Sequence, residues 1–251
     1  MKLNSFSIVI PSFNDLRIIE TISSINQQNY PRNKIEIIIS DGGSDEKIID
    51  EIKSAITEND NLLIEKDEGI FDGINKGLQR SKNEIIFTLG SDDRFCSKNA
   101  LTLVNEIIEN GSDYVCSTIK YTDQNWQPIR NWNATKPTLL NFIFGRQVAH
   151  FGYFAKKSVY ELNGYFDINR TVAADFDYFL RLSKSNFKCG LLEEHIVDMK
   201  MGGNSSKNIK NILKGNLDIF KAGFKHLGPL ILIHFLFKPF WKVREFLISS
   251  S

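Results

Sequence analysis

Short β-branched runs alternate with segments of helical spacing from the first residues to Thr118, and this alternation constrains the fold more than any other feature of the chain. Strands are expected at Phe6 to Ile10, Ile35 to Ser40, Leu62 to Glu65, Glu84 to Leu89 and Tyr114 to Thr118. Helices are expected at Asp15 to Gln28, Glu46 to Glu58, Phe71 to Ser81 and Lys98 to Asn110. Strands separated by helices imply βαβ units, hence an α/β fold with a mostly parallel sheet covered on both faces. After Thr118 the pattern loosens. Tyr121 to Trp132 reads as a hairpin or irregular segment, Leu139 to Phe144 as a short helix, Asp175 to Leu182 as a helix, and Ile196 to Met201 as a last strand before the loop Gly202 to Ser206.

At 251 residues and 42% hydrophobic content the chain can bury a large single core, which excludes a disordered protein. A net charge of +1 argues against nucleic acid as a partner, since such binders carry a basic excess to neutralise phosphates. The three cysteines, Cys96, Cys116 and Cys189, are odd in number and far apart in sequence, which argues against a disulfide framework and a zinc site. A reducing cytoplasm is the expected compartment, because Met1 to Ile10 is too brief an apolar stretch for a signal peptide.

From Lys207 onward the chain is locally basic, with Lys207, Lys210, Lys214, Lys221, Lys225, Lys238, Lys242 and Arg244. The apolar run Leu230 to Phe237 between these charges falls short of the about 20 residues a membrane span needs. With Leu232, Phe235, Phe240 and Trp241 beside cations, this tail fits either a helix lying in the headgroups of an anionic leaflet or a helix packed on the core.

Five clusters carry candidate chemistry. Pro11-Ser12-Phe13-Asn14 leaves the first strand, where backbone N–H groups face a cleft and Asn14 is placed to cap the next helix. Asp41-Gly42-Gly43-Ser44-Asp45 follows the second strand, and an acid at such a bend accepts from a nucleobase or a ribose hydroxyl. Asp67 to Gly77 opens a glycine-punctuated helix in which Lys76 is the cation able to reach a phosphate. Asp92 and Asp93, next to Ser91, stand just beyond the run Ile85 to Leu89, a ready oxygen ligand set for a hard divalent cation. Asp175 opens an aromatic-rich helix, either as a cap or as a carboxylate raised by apolar surroundings toward the pKa of a general base. His150 and Asp177 are further candidates on the acceptor side, and Trp126 and Trp132 are aromatics that either stack on sugars or pack.

In their order, FSIVIPSFND, SDGGSD, EGIFDGINKGL, EIIFTLGSDD, GYFD and AADFDYFLRL resemble the signatures of the family 2 glycosyltransferases, inverting enzymes of the GT-A fold. The segment GIFDGINKG is similar to the subgroup that builds bacterial surface polysaccharides such as O-antigen, capsule and colanic acid. The resemblance implies a catalytic domain over 1–206, with a nucleotide-sugar half over 1–118 and an acceptor half over 119–206, followed by the tail 207–251. It implies a nucleotide-sugar donor, by default a UDP-sugar, and a glycan acceptor on a polyprenyl diphosphate at the inner face of the cell membrane. Pro11, Phe13 and Asp41 would hold the nucleoside, Asp92 the ribose or the metal shell, and Asp93 an Mg²⁺ or Mn²⁺ ion directly. Asp175 would deprotonate the acceptor hydroxyl in a single displacement. The family often has Glu before that base; here Ala174 stands there. A sugar nucleotidyltransferase and a non-catalytic nucleotide-binding regulatory module remain the alternatives, the first expecting a cation-bearing glycine loop where PSFND stands.

Overall fold

The computed structural model describes residues 2–170, 172–202 and 209–248, with side chains in the last stretch described from 213 to 245. β1 (Phe6–Ser12), β2 (Ile35–Asp41), β3 (Asn61–Ile64) and β4 (Ile85–Thr88) are linked by α1 (Ile18–Asn26), α2 (Glu46–Ala55) and α3 (Ile70–Arg80). The four strands lie parallel in the order β3-β2-β1-β4. Their side chains alternate between two cores, as the period of two along a strand requires. Ile8, Ile10, Ile37, Ile39 and Phe87 meet Ile18, Ile22 and Ile52 of α1 and α2 on one face, where α4 (Ala100–Glu109) adds Val104. Val9, Ile38 and Ile86 meet Ile74 and Leu78 of α3 on the other. The approach of α3 is close: a Cβ at Gly77 would stand 2.3 Å from Val9 Cγ1.

This arrangement creates the crevice. β2 and β3 step away from one side of β1 beneath α1 and α2, whereas α3 crosses the opposite face and delivers β4 to the other side of β1. Chain ends that diverge in this way open a cleft beyond the carboxyl ends of β1 and β4.

Past β4 the sheet becomes mixed. β5 (Arg94–Phe95), β6 (Tyr114–Thr122), β8 (Tyr153–Lys156) and β9 (Cys189–Lys200) continue it in the order β4-β8-β6-β9-β5, with β7 (Pro128–Trp132) paired to β6. The expected hairpin is β6–β7, with Tyr121 opposite Arg130. β8 runs antiparallel to both β4 and β6, and β9 runs parallel to β6. Neither β5 nor β8 was expected, and β9 begins at Cys189 rather than Ile196. α5 (Leu139–Ile143), α6 (Lys157–Asn163) and α7 (Ala174–Leu182) complete this half.

The tail forms α8 (Ile209–Leu227) and α9 (Ile231–Ile248) around a break at Gly228 and Pro229. Ala222, Ile231 and His234 are fully buried, and a Cβ on Gly145 would come within 2.4 Å of the Lys238 backbone nitrogen, so α9 docks tightly after α5. Leu232, Leu236, Phe240 and Val243, at helical spacing, are all exposed. The two readings of the tail therefore hold on opposite sides of one helix. Contrary to the expectation of a run too short, the helical segment Leu213–Glu245 is long and apolar enough to cross a membrane, at a mean hydropathy of 1.2 over its most apolar window. Lys207 and most of the loop Gly202 to Ser206 lie outside the described residues.

Candidate active site

Four loops meet at the crevice. The first leaves β1, where the Ser12 hydroxyl is buried and carries no hydrogen bond, and the Phe13 ring is 63% exposed. Pro11 beside it is buried. Asn14 does not cap α1, which begins at Ile18 behind Arg17. It takes a positive φ of 50°, its Oδ1 accepts the Asp45 N–H at 2.8 Å, and its own N–H donates to Ser44 Oγ. Asn14 thus ties the first loop to the start of α2, a role the sequence order hid.

In the second loop Asp41 is buried and already engaged. Its Oδ1 accepts the N–H groups of Gly43 and Ser44, and its Oδ2 accepts the Ser44 hydroxyl at 2.6 Å. The carboxylate shapes the turn, with Gly42 N–H bonded to the Ser12 carbonyl at 2.9 Å. A residue missed as a ligand candidate stands opposite. Asp67 Oδ1 accepts the Gly69 N–H, and its Oδ2 faces Gly42 and Gly73, where added Cβ atoms would lie 2.7 and 3.2 Å from it. These glycines leave room for a carboxylate at the mouth of the crevice, and its signal was an acid in the loop between β3 and the glycine-punctuated helix. Lys76 is drawn back onto its own helix, 3.1 Å from Asp72 and donating to the Lys66 carbonyl. The structure does not aim it at the crevice, because an acid one turn earlier satisfies it locally.

The acidic loop after β4 is anchored by Thr21 of α1, buried in the first core. Its hydroxyl lies 2.6 Å from the Asp93 carbonyl and 3.0 Å from that of Ser91. Ser91 Oγ donates to Asp15, and Arg17 bridges Asp15 at 2.8 Å and Asp92 at 3.0 Å. Asp15 and Arg17 were not singled out from sequence, although they follow the first loop directly. Arg17 holds the Asp15 carboxyl below its usual range against the opposing effect of burial.

Asp92 and Asp93 differ in access. Asp92 is half-open, with burial raising its pKa and Arg17 opposing. Asp93 is 2% exposed and accepts the Lys200 N–H at 3.1 Å. Burial, then the neighbouring Asp92 charge, push its carboxyl well above the usual range. Two adjacent carboxylates whose joint ionisation is opposed, offering only oxygen donors, suit a hard dication such as Mg²⁺ or Mn²⁺. The residues fit that group: Asp92 would hold it from the open side and Asp93 from the enclosed one.

Across the cleft, Asp175 lies half-buried in the first turn of α7 and accepts the Phe176 N–H at 2.7 Å. Burial lifts its carboxyl to about 6. The Tyr121 hydroxyl of β6, pushed up to about 12 chiefly by burial, is close enough to feel both Asp93 and Asp175. Asp93 and Asp175 therefore both lie within charge range of that one hydroxyl.

Other expectations are corrected. Asp177 is 1% exposed and clasped by His226 at 3.0 Å, Arg181 at 3.1 Å and Arg170 at 3.3 Å, so it knits α7 to its neighbours and does not face an acceptor. His150 donates to or accepts from Thr88 Oγ1 at 3.0 Å and stacks on Phe71 and Phe151, with its pKa driven to about 3 by burial. It packs as a neutral ring. Trp126 lies between Arg94 and Lys200, and Trp132 stacks on Tyr121 and donates to the Gln147 carbonyl. Both aromatics pack. Away from the cleft, Cys96, His195 and Asp198 come within 4.8 Å of one another despite their sequence spacing. Arg94 already pairs with that Asp198, and Cys96 Sγ lies 3.3 Å from His195 Nε2, so the three side chains are engaged with one another and with Arg94.

Known proteins match this arrangement. At 26% identity over 188 residues, covering 72% of this chain and 70% of the relative, the chain is similar to a PGL/p-HBAD biosynthesis glycosyltransferase of Mycobacterium bovis. It is 25% identical over 216 residues, 74% of this chain and 64% of the relative, to a dolichyl N-acetyl-alpha-D-glucosaminyl phosphate 3-beta-D-2,3-diacetamido-2,3-dideoxy-beta-D-glucuronosyltransferase of Methanococcus voltae. Among solved structures, the mannosyltransferase PcManGT from Pyrobaculum calidifontis, in complex with GDP-Man and Mn2+, aligns at a TM-score of 0.70 and 13% identity over 99% of this chain and 74% of that one. S. aureus TarS 1-349 in complex with UDP-GlcNAc aligns at 0.66 and 17% over 88% and 73%. Both share the GT-A fold with this chain. The model of glycosyl transferase family 2 matches residues 7–167, most of the sheet and every loop of the crevice except that of Asp175. The chain is a glycosyltransferase and belongs to glycosyl transferase family 2.

Proposed function

We propose that this enzyme moves a sugar from a nucleotide-sugar, by default a UDP-sugar, to a lipid-linked glycan with inversion at the anomeric carbon, in bacterial surface-polysaccharide synthesis. The observation that carries the mechanism is the raised carboxyl of Asp175, which together with Asp93 lies within charge range of the Tyr121 hydroxyl. Asp175, free of any cationic partner within ion-pair distance among the described residues, takes the proton of the acceptor hydroxyl as that oxygen attacks from the face opposite the leaving diphosphate. Its pKa of about 6 leaves it ionised at neutral pH yet basic enough to accept a proton. Phe13, Ser12 and Pro11 form a floor for the nucleoside, and Asp67 with the backbone of Gly42 lines the wall nearest the base. Asp41 supports that wall through its turn. Mg²⁺ or Mn²⁺ held by Asp93 and Asp92 would supply charge neutralisation for the departing diphosphate. Arg17, on Asp92 in this structure, adds a second positive group at the same end.

The reading draws support from a relative named for transfer to a dolichyl phosphate-linked sugar and from fold neighbours holding UDP-GlcNAc or GDP-Man with Mn2+. Loss of a positioned general base costs about 10²- to 10⁴-fold in rate. Asp175→Asn should therefore lose transfer by that factor while binding UDP with Mn²⁺ as the parent does, measured by calorimetry. Undiminished turnover in this variant removes Asp175 from the mechanism.

A further inference from the structure

A basic groove lies between β7, the end of α5 and α9, lined by Arg130, Arg146, Lys238, Lys242, Arg244 and Trp241. Five cations share it with a single carboxylate, Glu245, which Arg130 takes at 3.1 Å. Among the described residues no carboxylate forms an ion pair with Arg146, Lys238, Lys242 or Arg244. The guanidinium groups are held in place: those of Arg146 and Arg244 lie 4.8 and 5.2 Å from the Trp241 ring centre, and Arg130 lies 4.4 Å from that of Tyr121. Burial lowers the pKa of Lys238 to about 8, with Lys242 adding to the fall, and Lys242 is lowered in turn by burial and Arg130. Such crowding of partly enclosed cations is costly without an anion.

What flanks the groove identifies the anion. Lys238 lies within charge range of Asp175, which puts this end of the groove near the proposed base. Next to the groove, Leu140 of α5 and Phe144 just after it are exposed, the Phe144 ring meeting Phe237 at 5.4 Å, and the far face of α9 exposes Leu232, Leu236 and Phe240. A prenyl diphosphate-linked glycan carries the matching sequence of parts: sugar, two phosphates, hydrocarbon. A leaflet surface alone is met by extended lysine tips and needs no guanidinium planes stacked on aromatic rings.

Resting on the reading of a lipid-linked acceptor, we propose that this groove binds the acceptor's diphosphate and so sets the distance from the lipid link to Asp175. Calorimetry with inorganic pyrophosphate and with geranylgeranyl diphosphate, in metal-free buffer containing EDTA to silence the donor site, tests it. Arg146→Gln combined with Lys242→Gln should weaken both probes by at least about tenfold, since charge-assisted hydrogen bonds are lost, while UDP binding with Mn²⁺ is unchanged. Equal affinity for both probes in parent and variant overturns the proposal. So does a parent that ignores both probes while the variant loses only its binding to phosphatidylglycerol vesicles, which would assign the cations to the membrane surface. If the double variant does not fold, each single variant decides by the same criteria. Failure of the donor or base assignments shows instead in UDP binding and in Asp175→Asn, neither of which involves the groove.

Discussion

At Asp175 two local effects favour ionisation, the positive end of α7 and the hydrogen bond from Phe176 N–H, yet burial outweighs both and the carboxyl rises to about 6. Transfer should accordingly rise with pH through a midpoint near 6 and level off above it, and a rate profile flat from pH 5 to 8 contradicts the assignment. The linked stability follows from the sign. The folded state holds this proton more tightly than the unfolded chain, so this group makes stability fall as pH rises from 3.8 to about 6, a slope that Asp175→Asn removes. Asp175 was legible as a residue that opens a helix after an apolar stretch. Asp177 was read alongside it, but two positions along a helix turn a side chain by about 200°, to the opposite side. That rotation puts it among Arg170, Arg181 and His226 rather than in the cleft. His150 shows the same limit, since only the assembled rings of Phe71 and Phe151 make it a packed neutral group.

At the scale of elements, the glycines of helix α3 serve close packing. Gly73 clears space for Asp67, and Gly77 lets the helix settle on Val9 of β1. Gly77→Ala should lower thermal stability: overpacking against Val9, at about 1 to 3 kcal/mol, outweighs the gain of about 1 kcal/mol in helix propensity, for a net loss of up to about 2 kcal/mol. Val9→Ala in the same chain should recover part of the loss, and additive effects in that double-mutant cycle would deny the contact. The first four strands were visible within a few residues because each is a run of apolar residues followed by a helix. β8 was not. Tyr153–Lys156 has four residues, and it becomes a strand only because the edges of β4 and β6 stand on either side of it.

Across the whole molecule, the tail joins an apolar surface to the catalytic body. Docked through His234 and Ile231 on one side, where Lys238, Trp241 and Lys242 line the basic groove, α9 presents Leu232, Leu236, Phe240 and Val243 on the other. We expect this face to rest in an anionic leaflet. Leu236→Glu with Phe240→Glu should abolish co-sedimentation with phosphatidylglycerol vesicles and leave UDP binding intact; persistent vesicle binding would assign the membrane contact to another surface. The groove itself could not be read from the sequence, since its cations come from β7, the turn after α5 and α9, about a hundred positions apart.

The sequence alone determined the nucleotide-binding half, because alternating apolar runs and helical periods dictate parallel βαβ units and place each acidic loop at a strand end. It also singled out Asp92, Asp93 and Asp175 as candidate carboxylates, because the proposed chemistry needs those residue types. Tertiary structure alone decided which of them are open and which enclosed, that Arg17 joins the acidic pair, that Lys76 is spent on Asp72, and that α9 docks against the turn after α5. Accessibility, pKa and partner choice depend on what is brought near from distant parts of the chain, and local pattern carries no record of that.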